Sequence, residues 1–223
     1  VSPRTDLAED AGLDRHETGA IRVDDQLRTS APDVYALGDA AAVPAVGGEH
    51  AWVPLGGPAN RQGRVLGTVL AGREDHLNPV YDTAVAKVFD LAVGAVGETE
   101  ARIGDGEELE KVYVYPPNHA EYYPAAERFW LKLLFDPTDG TVLGAQSVGG
   151  DGVDKRIDVV ATAMQNGATV SELAQLDLAY APPYSSAKDP VNMAGMAAEN
   201  VFEGLVDLVH WHDLDAEDRP LLD

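Results

Sequence analysis

Cysteine is absent from the 223 residues of this chain, which excludes disulfides, thiolate metal sites and a cysteine nucleophile within it. Lysine is almost as scarce, occurring only at positions 87, 111, 132, 155 and 188. No run of roughly 18 uncharged apolar residues occurs, so we expect no transmembrane helix. The composition is 45% hydrophobic and 24% charged, which still provides for a sizeable buried core.

Positive charge is the next shortage. The chain carries 38 acidic against 16 basic residues, for a net charge of −22. A field of this sign repels phosphate backbones and anionic lipids, so we expect neither nucleic acid nor a membrane as a partner. An acidic, lysine-poor surface favours the cytoplasm of a halophile, where molar salt screens the repulsion between carboxylates. An acidic protein from an ordinary cytoplasm is the alternative interpretation.

Histidine gives no metal-site pattern. The six histidines do not fall at ligand spacing, and only His210 and His212 stand close together. Because these two have no clustered partners, we expect no metal centre in the chain.

The first part of the chain reads as short helices and strands. We predict a helix at 5–11, strands at 20–24 and 33–39, a loop at 40–57 and a helix at 58–71. The polar stretch 72–82, which contains Asn78-Pro79, is a candidate boundary between two parts of the chain.

The second part begins with strands and ends with helices. We predict strands at 84–89, 91–96, 111–115, 128–136 and 141–148, then helices at 153–165, 169–176 and 190–202. The turn sequence PTDG at 137–140 joins the last two strands into an antiparallel hairpin. This order predicts an α+β fold, an antiparallel sheet with helices on one face.

The segment TSAPDVYALGD at 29–39 is the most specific stretch of the sequence. A glycine that follows a strand lets a ligand approach the backbone closely, and Asp39 then offers an acceptor-only carboxylate. A carboxylate of this kind is suited to accept hydrogen bonds from a ligand that carries several hydroxyl groups. Taken alone, the same residues also describe an ordinary strand followed by a turn.

This segment resembles the second flavin-binding motif of the FAD/NAD-linked disulfide reductases. The resemblance implies that Gly38 and Asp39 contact FAD, with Asp39 on the ribityl chain. The following VPLGGPANRQGR at 53–64 is similar to the next element of that family, a helix whose N-terminus faces the flavin. By that resemblance Pro54, Leu55 and Gly56 line the pyrimidine edge of the ring.

Two further stretches resemble the coenzyme A-disulfide reductase and NADH oxidase branch of the family. YAPPYSSAKDPVNMAG at 180–195 is similar to the dimerisation domain, and NHAEYYP at 118–124 to a tyrosine-bearing loop. The resemblance implies catalytic roles for Tyr122 and Tyr180, which would reach the active site of the other subunit. Tyr123 and Tyr184 are neighbouring candidates. Asn60, Arg61 and Lys188 are our candidates for coenzyme A contacts, since cationic donors suit its phosphates.

The resemblance also assigns a domain organisation. It implies the end of a Rossmann-like FAD-binding domain at 1–77 and a dimerisation domain at 78–204. Residues 205–223 would be a linker or the start of a truncated rhodanese-like domain, and a disordered acidic tail is the alternative. The glycine-rich FAD and NAD(P) motifs and the redox cysteine of the family are not found here, so we expect this chain to be the C-terminal portion of a longer polypeptide.

The function implied is that of a homodimeric flavoenzyme. It would use FAD, with NADH or NADPH as co-substrate bound outside this chain, to reduce coenzyme A disulfide or a related persulfide or polysulfide. An NADH oxidase that reduces oxygen is one alternative. An assembly module without redox activity of its own is the other, because a chain without cysteine cannot perform the thiol step alone.

Overall fold

A computed structural model describes residues 2–103, 109–211 and 214. The chain divides into two compact units, Val1–Asp82 and Thr83–Asp223, which are described separately below. Within the described residues, every helix is too short or too polar to cross a bilayer.

The first unit combines a small mixed sheet with one long helix. Its elements are α1 (Asp6–Asp10), β1 (Ile21–Arg22), a 3-10 helix (Gly38–Ala40), β2 (Ala41–Pro44), β3 (His50–Ala51) and α2 (Gly56–Leu70). The strands lie in the order β1-β2-β3, with β1 parallel and β3 antiparallel to β2. Apolar residues of β2 and α2, including Val43, Val65 and Leu66, form the core with Leu27 and Leu77.

Two predictions for this unit are wrong. Residues 33–39 do not form a buried strand: only Ala36 is buried, and Tyr35 makes a single bridge to Arg28. Asp33 has a φ of 62°, and the Thr29 hydroxyl bonds locally to the backbone of Ala31 and Val34, so a turn replaces the strand. The stretch 40–57 is not a plain loop either, since it contains β2 and β3.

The second unit is an antiparallel sheet covered by helices, as predicted. The strands are β4 (Ala84–Val88), β5 (Leu91–Gly97), β6 (Glu110–Val114), β7 (Trp130–Phe135) and β8 (Val142–Gly149). The helices are α3 (Glu100–Ile103), α4 (Val153–Gln165), α5 (Val170–Ala174) and α6 (Pro190–Phe202). The strand order is β4-β5-β8-β7-β6. The prediction omitted α3, a single turn that is too short to leave a periodic pattern.

The two faces of the sheet differ in exposure. One face carries buried residues such as Leu131, Leu133 and Ala145, and α4 packs on it closely: a Cβ on Gly94 would lie 2.7 Å from Ile157. Val93, Val148 and Trp130 share the opposite face through their register, and Val93 and Trp130 are exposed there.

Side-chain caps begin two helices of the second unit. Thr169 and Glu172 form a capping box at α5, and the Asp189 carboxylate accepts a hydrogen bond from the Val191 amide at the start of α6. The segments 104–108, 212–213 and 215–223 lie outside the described residues, and most of the proposed linker or rhodanese-like segment at 205–223 falls there.

Candidate functional site

The Gly38-Asp39 step is held from two sides in the first unit. Gly38 has a φ of +72°, and its amide donates to the Gln62 side chain at 2.6 Å. Gln62 lies on α2 and is 2% exposed. The Trp52 indole donates to the Asp39 carbonyl at 2.8 Å. These contacts fix the backbone while Asp39 itself remains exposed.

The N-terminus of α2 is open beside this segment. Leu55 is the N-cap residue and provides no side-chain hydrogen bond to the first turn. Leu55, Gly56 and Gly57 are exposed, and Pro54 is half-buried. The first amides of a helix have no intrahelical partner, so this 15-residue helix presents unpaired donors and the positive end of its dipole.

The predicted flavin contacts are therefore compatible with FAD. An exposed carboxylate at Asp39 is an acceptor for ribityl hydroxyls. The open end of α2, starting with two glycines, admits a planar ring to backbone donors that favour negative charge. The α2 helix and the 3-10 helix that carries Asp39 pack together, so both features belong to one site.

Asn60 and Arg61 lie exposed one turn further along α2. Lys188 is also exposed but belongs to the second unit, where its carbonyl accepts a hydrogen bond from Ser186. Each of the three side chains is exposed within its own unit and is available for a ligand.

Tyr122 and Tyr180 meet in the second unit. Their hydroxyl oxygens lie 3.0 Å apart, although 58 residues separate them in sequence. Tyr122 is 75% exposed and Tyr180 48% exposed, so the hydroxyl pair stands at a surface. Tyr123 packs edge-on against His119 instead, and Tyr184 is exposed nearby in sequence.

The hydrogen bond with Tyr122 raises the pKa of Tyr180 above its ordinary value of 10.0, with smaller contributions from desolvation and from the charge of an ionised Tyr122. Tyr180 therefore keeps its proton at neutral pH, and the pair retains a hydroxyl hydrogen that can be donated to a third group.

Backbone hydrogen bonds hold together the two segments that carry these tyrosines. The Ala120 amide lies 3.3 Å from the Pro182 carbonyl and 3.1 Å from that of Ser185. Asn118 closes the first loop, since its side chain accepts from the Glu127 amide at 3.0 Å.

Sequence reasoning missed several supporting residues. Gln62 lies within the 53–64 motif and Trp52 directly precedes it, and the sequence alone assigns a role to neither. Their contacts span 24 and 13 residues, so no local pattern marks them. The apolar spacing of α2 does place Gln62 on its buried side with Val65 and Leu66, which was the available signal.

Two family profiles match this chain. Residues 1–63 match "Pyridine nucleotide-disulphide oxidoreductase", and residues 83–190 match "Pyridine nucleotide-disulphide oxidoreductase, dimerisation domain". Together they cover most of the chain, in the same order as the two structural units.

Curated relatives match over nearly the same range. The NAD(P)H coenzyme A polysulfide/persulfide reductase of Pyrococcus horikoshii is 36% identical over 193 residues, which is 86% of this chain and 43% of that protein. The coenzyme A disulfide reductase of Staphylococcus aureus strain RF122 is 34% identical over 205 residues, 88% of this chain and 45% of that protein. The chain thus spans less than half the length of these relatives.

A solved structure shares the fold. Reduced CoADR-RHD of Bacillus anthracis superposes with a TM-score of 0.91 at 46% identity, covering 96% of this chain and 39% of that one. Matched by both profiles and by these relatives, the chain belongs to the pyridine nucleotide-disulphide oxidoreductase family.

Proposed function

We propose that this chain is the C-terminal, FAD-contacting and dimerisation portion of a cytoplasmic flavin-dependent NAD(P)H oxidoreductase. Its substrate would be coenzyme A disulfide or a related persulfide or polysulfide. The observation that carries the proposal is the exposed hydroxyl pair of Tyr122 and Tyr180, 3.0 Å apart in the unit that matches the dimerisation domain. The names of the relatives support the same substrate class.

Gly38, Asp39, Pro54, Leu55 and Gly56 would hold FAD. Asp39 would accept hydrogen bonds from the ribityl hydroxyls, and the amides at the start of α2 would favour negative charge on the ring. Bound FAD supplies the transfer of reducing equivalents from a nicotinamide to a disulfide. Gln62 and Trp52 keep the Asp39 backbone in place for this contact.

Tyr122 and Tyr180 would act on sulfur. When a disulfide opens, the leaving sulfur takes the bonding electron pair and becomes a thiolate, which a phenol hydroxyl stabilises by donating a hydrogen bond. This chain contains no cysteine, so the attacking thiolate must come from another segment or another molecule. Asn60, Arg61 and Lys188 would bind the phosphates of coenzyme A.

The working form would be a homodimer assembled through residues of the second unit. This unit exposes apolar side chains on the sheet, including Val93 and Trp130. It also has an open groove of about 670 Å³ along α4 and α5, which Val159, Leu176 and Leu178 help to line. Exposed apolar surface of this kind is typical of protein interfaces. A second copy would cover it and would bring Tyr122 and Tyr180 to the active site of its partner.

The test is an acceptor comparison on the full-length flavoenzyme that carries this chain. The flavin spectrum is recorded first, and NAD(P)H oxidation is then followed with coenzyme A disulfide under nitrogen and with oxygen alone. We expect rapid turnover with the disulfide and slow turnover with oxygen. Turnover with oxygen alone would instead favour an NADH oxidase, and the absence of bound flavin would refute both functions.

A further inference from the structure

Arg156 is a buried cation that contacts both tyrosine-bearing segments. It lies on α4 and is 1% exposed. Its Nη2 donates to the carbonyl of Asn118 at 2.8 Å, four residues before Tyr122. The same nitrogen lies 3.1 Å from Asp189 Oδ2 and 3.3 Å from Ser185 Oγ, at the end of the segment that begins with Tyr180.

The surrounding groups complete this arrangement. Arg156 Nη1 donates to the carbonyl of Gly152 at 3.2 Å, and its guanidinium lies 5.6 Å from the centre of the Phe129 ring. Gly152 has a φ of +81°, and a Cβ there would come within 2.4 Å of Arg156 Nη1. The glycine therefore leaves the space that the guanidinium occupies.

Asp189 balances the buried charge. Ser185 donates to its Oδ2 at 2.5 Å, and the Val191 amide donates to its Oδ1 at 3.0 Å. Burial alone would raise the pKa of Asp189, but these hydrogen bonds and the charge of Arg156 outweigh it and lower the pKa. Asp189 is thus ionised at neutral pH, 3% exposed and paired with Arg156.

A buried ion pair contributes little net stability compared with apolar residues of the same size, because both charges lose their hydration. Its directional hydrogen bonds do fix the relative position of the segments that it joins. Arginine suits this task because its planar fork donates in several directions, whereas a lysine ammonium cannot reach the same acceptors at once.

We propose that Arg156, with Asp189 and Ser185, is a positioning cluster that holds the 118–124 loop against the 180–189 segment, so that the hydroxyls of Tyr122 and Tyr180 meet. Arg156 itself touches neither tyrosine hydroxyl and acts through the two backbones. The effect on catalysis rests on the proposed function, in which these hydroxyls act on sulfur. The geometric part of the proposal does not depend on that function.

The geometric part is tested on the 223-residue chain with Arg156→Lys. Tyrosines labelled with 13C at Cζ are titrated by NMR, and exchange of the Ala120 amide is followed in the same samples. We expect the pKa of Tyr180 to fall toward its ordinary value. We also expect the amide hydrogen of Ala120 to exchange about tenfold faster or more, which is the change in rate expected when one buried hydrogen bond to a charged group is lost.

The matched control is Arg128→Lys. Arg128 forms an ion pair with Glu121 of the 118–124 loop, but this pair is exposed. The replacement of Arg128 should therefore leave the Tyr180 titration and the Ala120 exchange rate unchanged. Unchanged Tyr180 titration and Ala120 exchange in Arg156→Lys would overturn the proposal. If Arg156→Lys does not fold, Ser185→Ala decides, since it removes one hydroxyl of the cluster. A smaller shift in the same direction supports the proposal, and no shift overturns it.

The catalytic part is tested by a double-mutant cycle in the full-length flavoenzyme. Arg156→Lys should lower kcat with coenzyme A disulfide in the parent, and should lower it little further when Tyr122 and Tyr180 are both phenylalanine. An equal loss in both backgrounds would refute action through the tyrosines. A shifted Tyr180 titration with unchanged turnover would refute the catalytic role of the tyrosines but support the positioning cluster.

Discussion

Glu100 accepts hydrogen bonds from Lys111 and Lys132 and thereby links α3 to β6 and β7. Burial raises the pKa of Glu100, but the hydrogen bonds and charges of both lysines outweigh burial and lower the pKa from 4.5 to about 2. Because the folded pKa is the lower one, Glu100 contributes stability above pH 4.5. That contribution is lost as the pH falls from 4.5 to about 2.

We predict that Glu100→Gln destabilises the protein at neutral pH, where Glu100 is ionised. At pH 7 the variant should have a free energy of unfolding lower by about 1 kcal/mol, the upper end for partly exposed pairs. The difference from the parent should shrink as the pH falls below 4.5. Urea denaturation at a series of pH values in constant salt measures it. Glu121→Gln, in an exposed pair with Arg128, is the control and should change stability little. A pH-independent difference for Glu100→Gln would contradict the account.

Single residues also show how far the site could be predicted. Asp39, Tyr122 and Tyr180 stand in stretches whose residue types and order are specific, so sequence reasoning selected them. Their roles remain predictions, as do the domain boundaries and the substrate contacts. No sequence pattern marks Arg156, because its partners in the two tyrosine-bearing segments lie 29 to 38 residues away and only the packed fold brings them together.

At the scale of elements, α5 and α6 cross unusually closely at one glycine. A Cβ on Gly195 of α6 would lie 2.4 Å from the Ala174 amide nitrogen at the end of α5. Backbone cannot move aside as a flexible side chain does. The crossing distance of these helices is therefore set by the absence of a side chain at Gly195.

We predict that replacing glycine by alanine has opposite effects on the free energy of unfolding at Gly195 and at Gly67. Gly195→Ala should lower the free energy of unfolding by about 1–3 kcal/mol, because the added methyl overpacks the crossing. Gly67→Ala is the matched control: it is also a helix-interior glycine, in α2, but a Cβ there meets nothing within 4 Å. It should raise stability by about 0.5–1 kcal/mol through helix propensity. Chemical denaturation of both variants measures the effects, and equal stability changes would contradict the packing argument.

Two turns explain why one element was predicted correctly and another was not. In the β7–β8 hairpin the Asp136 carboxylate accepts from both the amide and the hydroxyl of Thr138, and Gly140 takes the positive φ. These are the residue types expected for the turn. In the segment 29–39, Asp33 adopts a positive φ without being glycine. The pair Pro32-Asp33 is a turn signal, since proline suits the second position of a turn and aspartate tolerates a positive φ. The β-formers at Val34 and Tyr35 outweigh that signal in the sequence, and the strand prediction is therefore wrong.

At the scale of the whole molecule, a net charge of −22 dominates the response to salt. Repulsion among carboxylates is screened in molar KCl and unscreened in dilute buffer. We predict that the melting temperature falls as the KCl concentration is lowered from 3 M to 0.1 M, because the screening of charge repulsion weakens over this range. Thermal melts followed by circular dichroism measure it.

The control for the salt response neutralises exposed carboxylates. A triple variant with Asn at Asp90, Asp154 and Asp158, all exposed, should show a weaker dependence on KCl than the parent. A melting temperature independent of salt in the parent would remove the halophile interpretation.

The central claim is that the Tyr122–Tyr180 pair acts on sulfur, and Tyr180→Phe in the full-length flavoenzyme tests it most directly. Turnover with coenzyme A disulfide should fall about 10- to 100-fold, equivalent to roughly 1.4–2.8 kcal/mol of barrier. The flavin spectrum should be unchanged. The control is Tyr115→Phe, which replaces another exposed tyrosine of the second unit and should retain parental turnover. Parental turnover in Tyr180→Phe, alone and combined with Tyr122→Phe, would contradict the account.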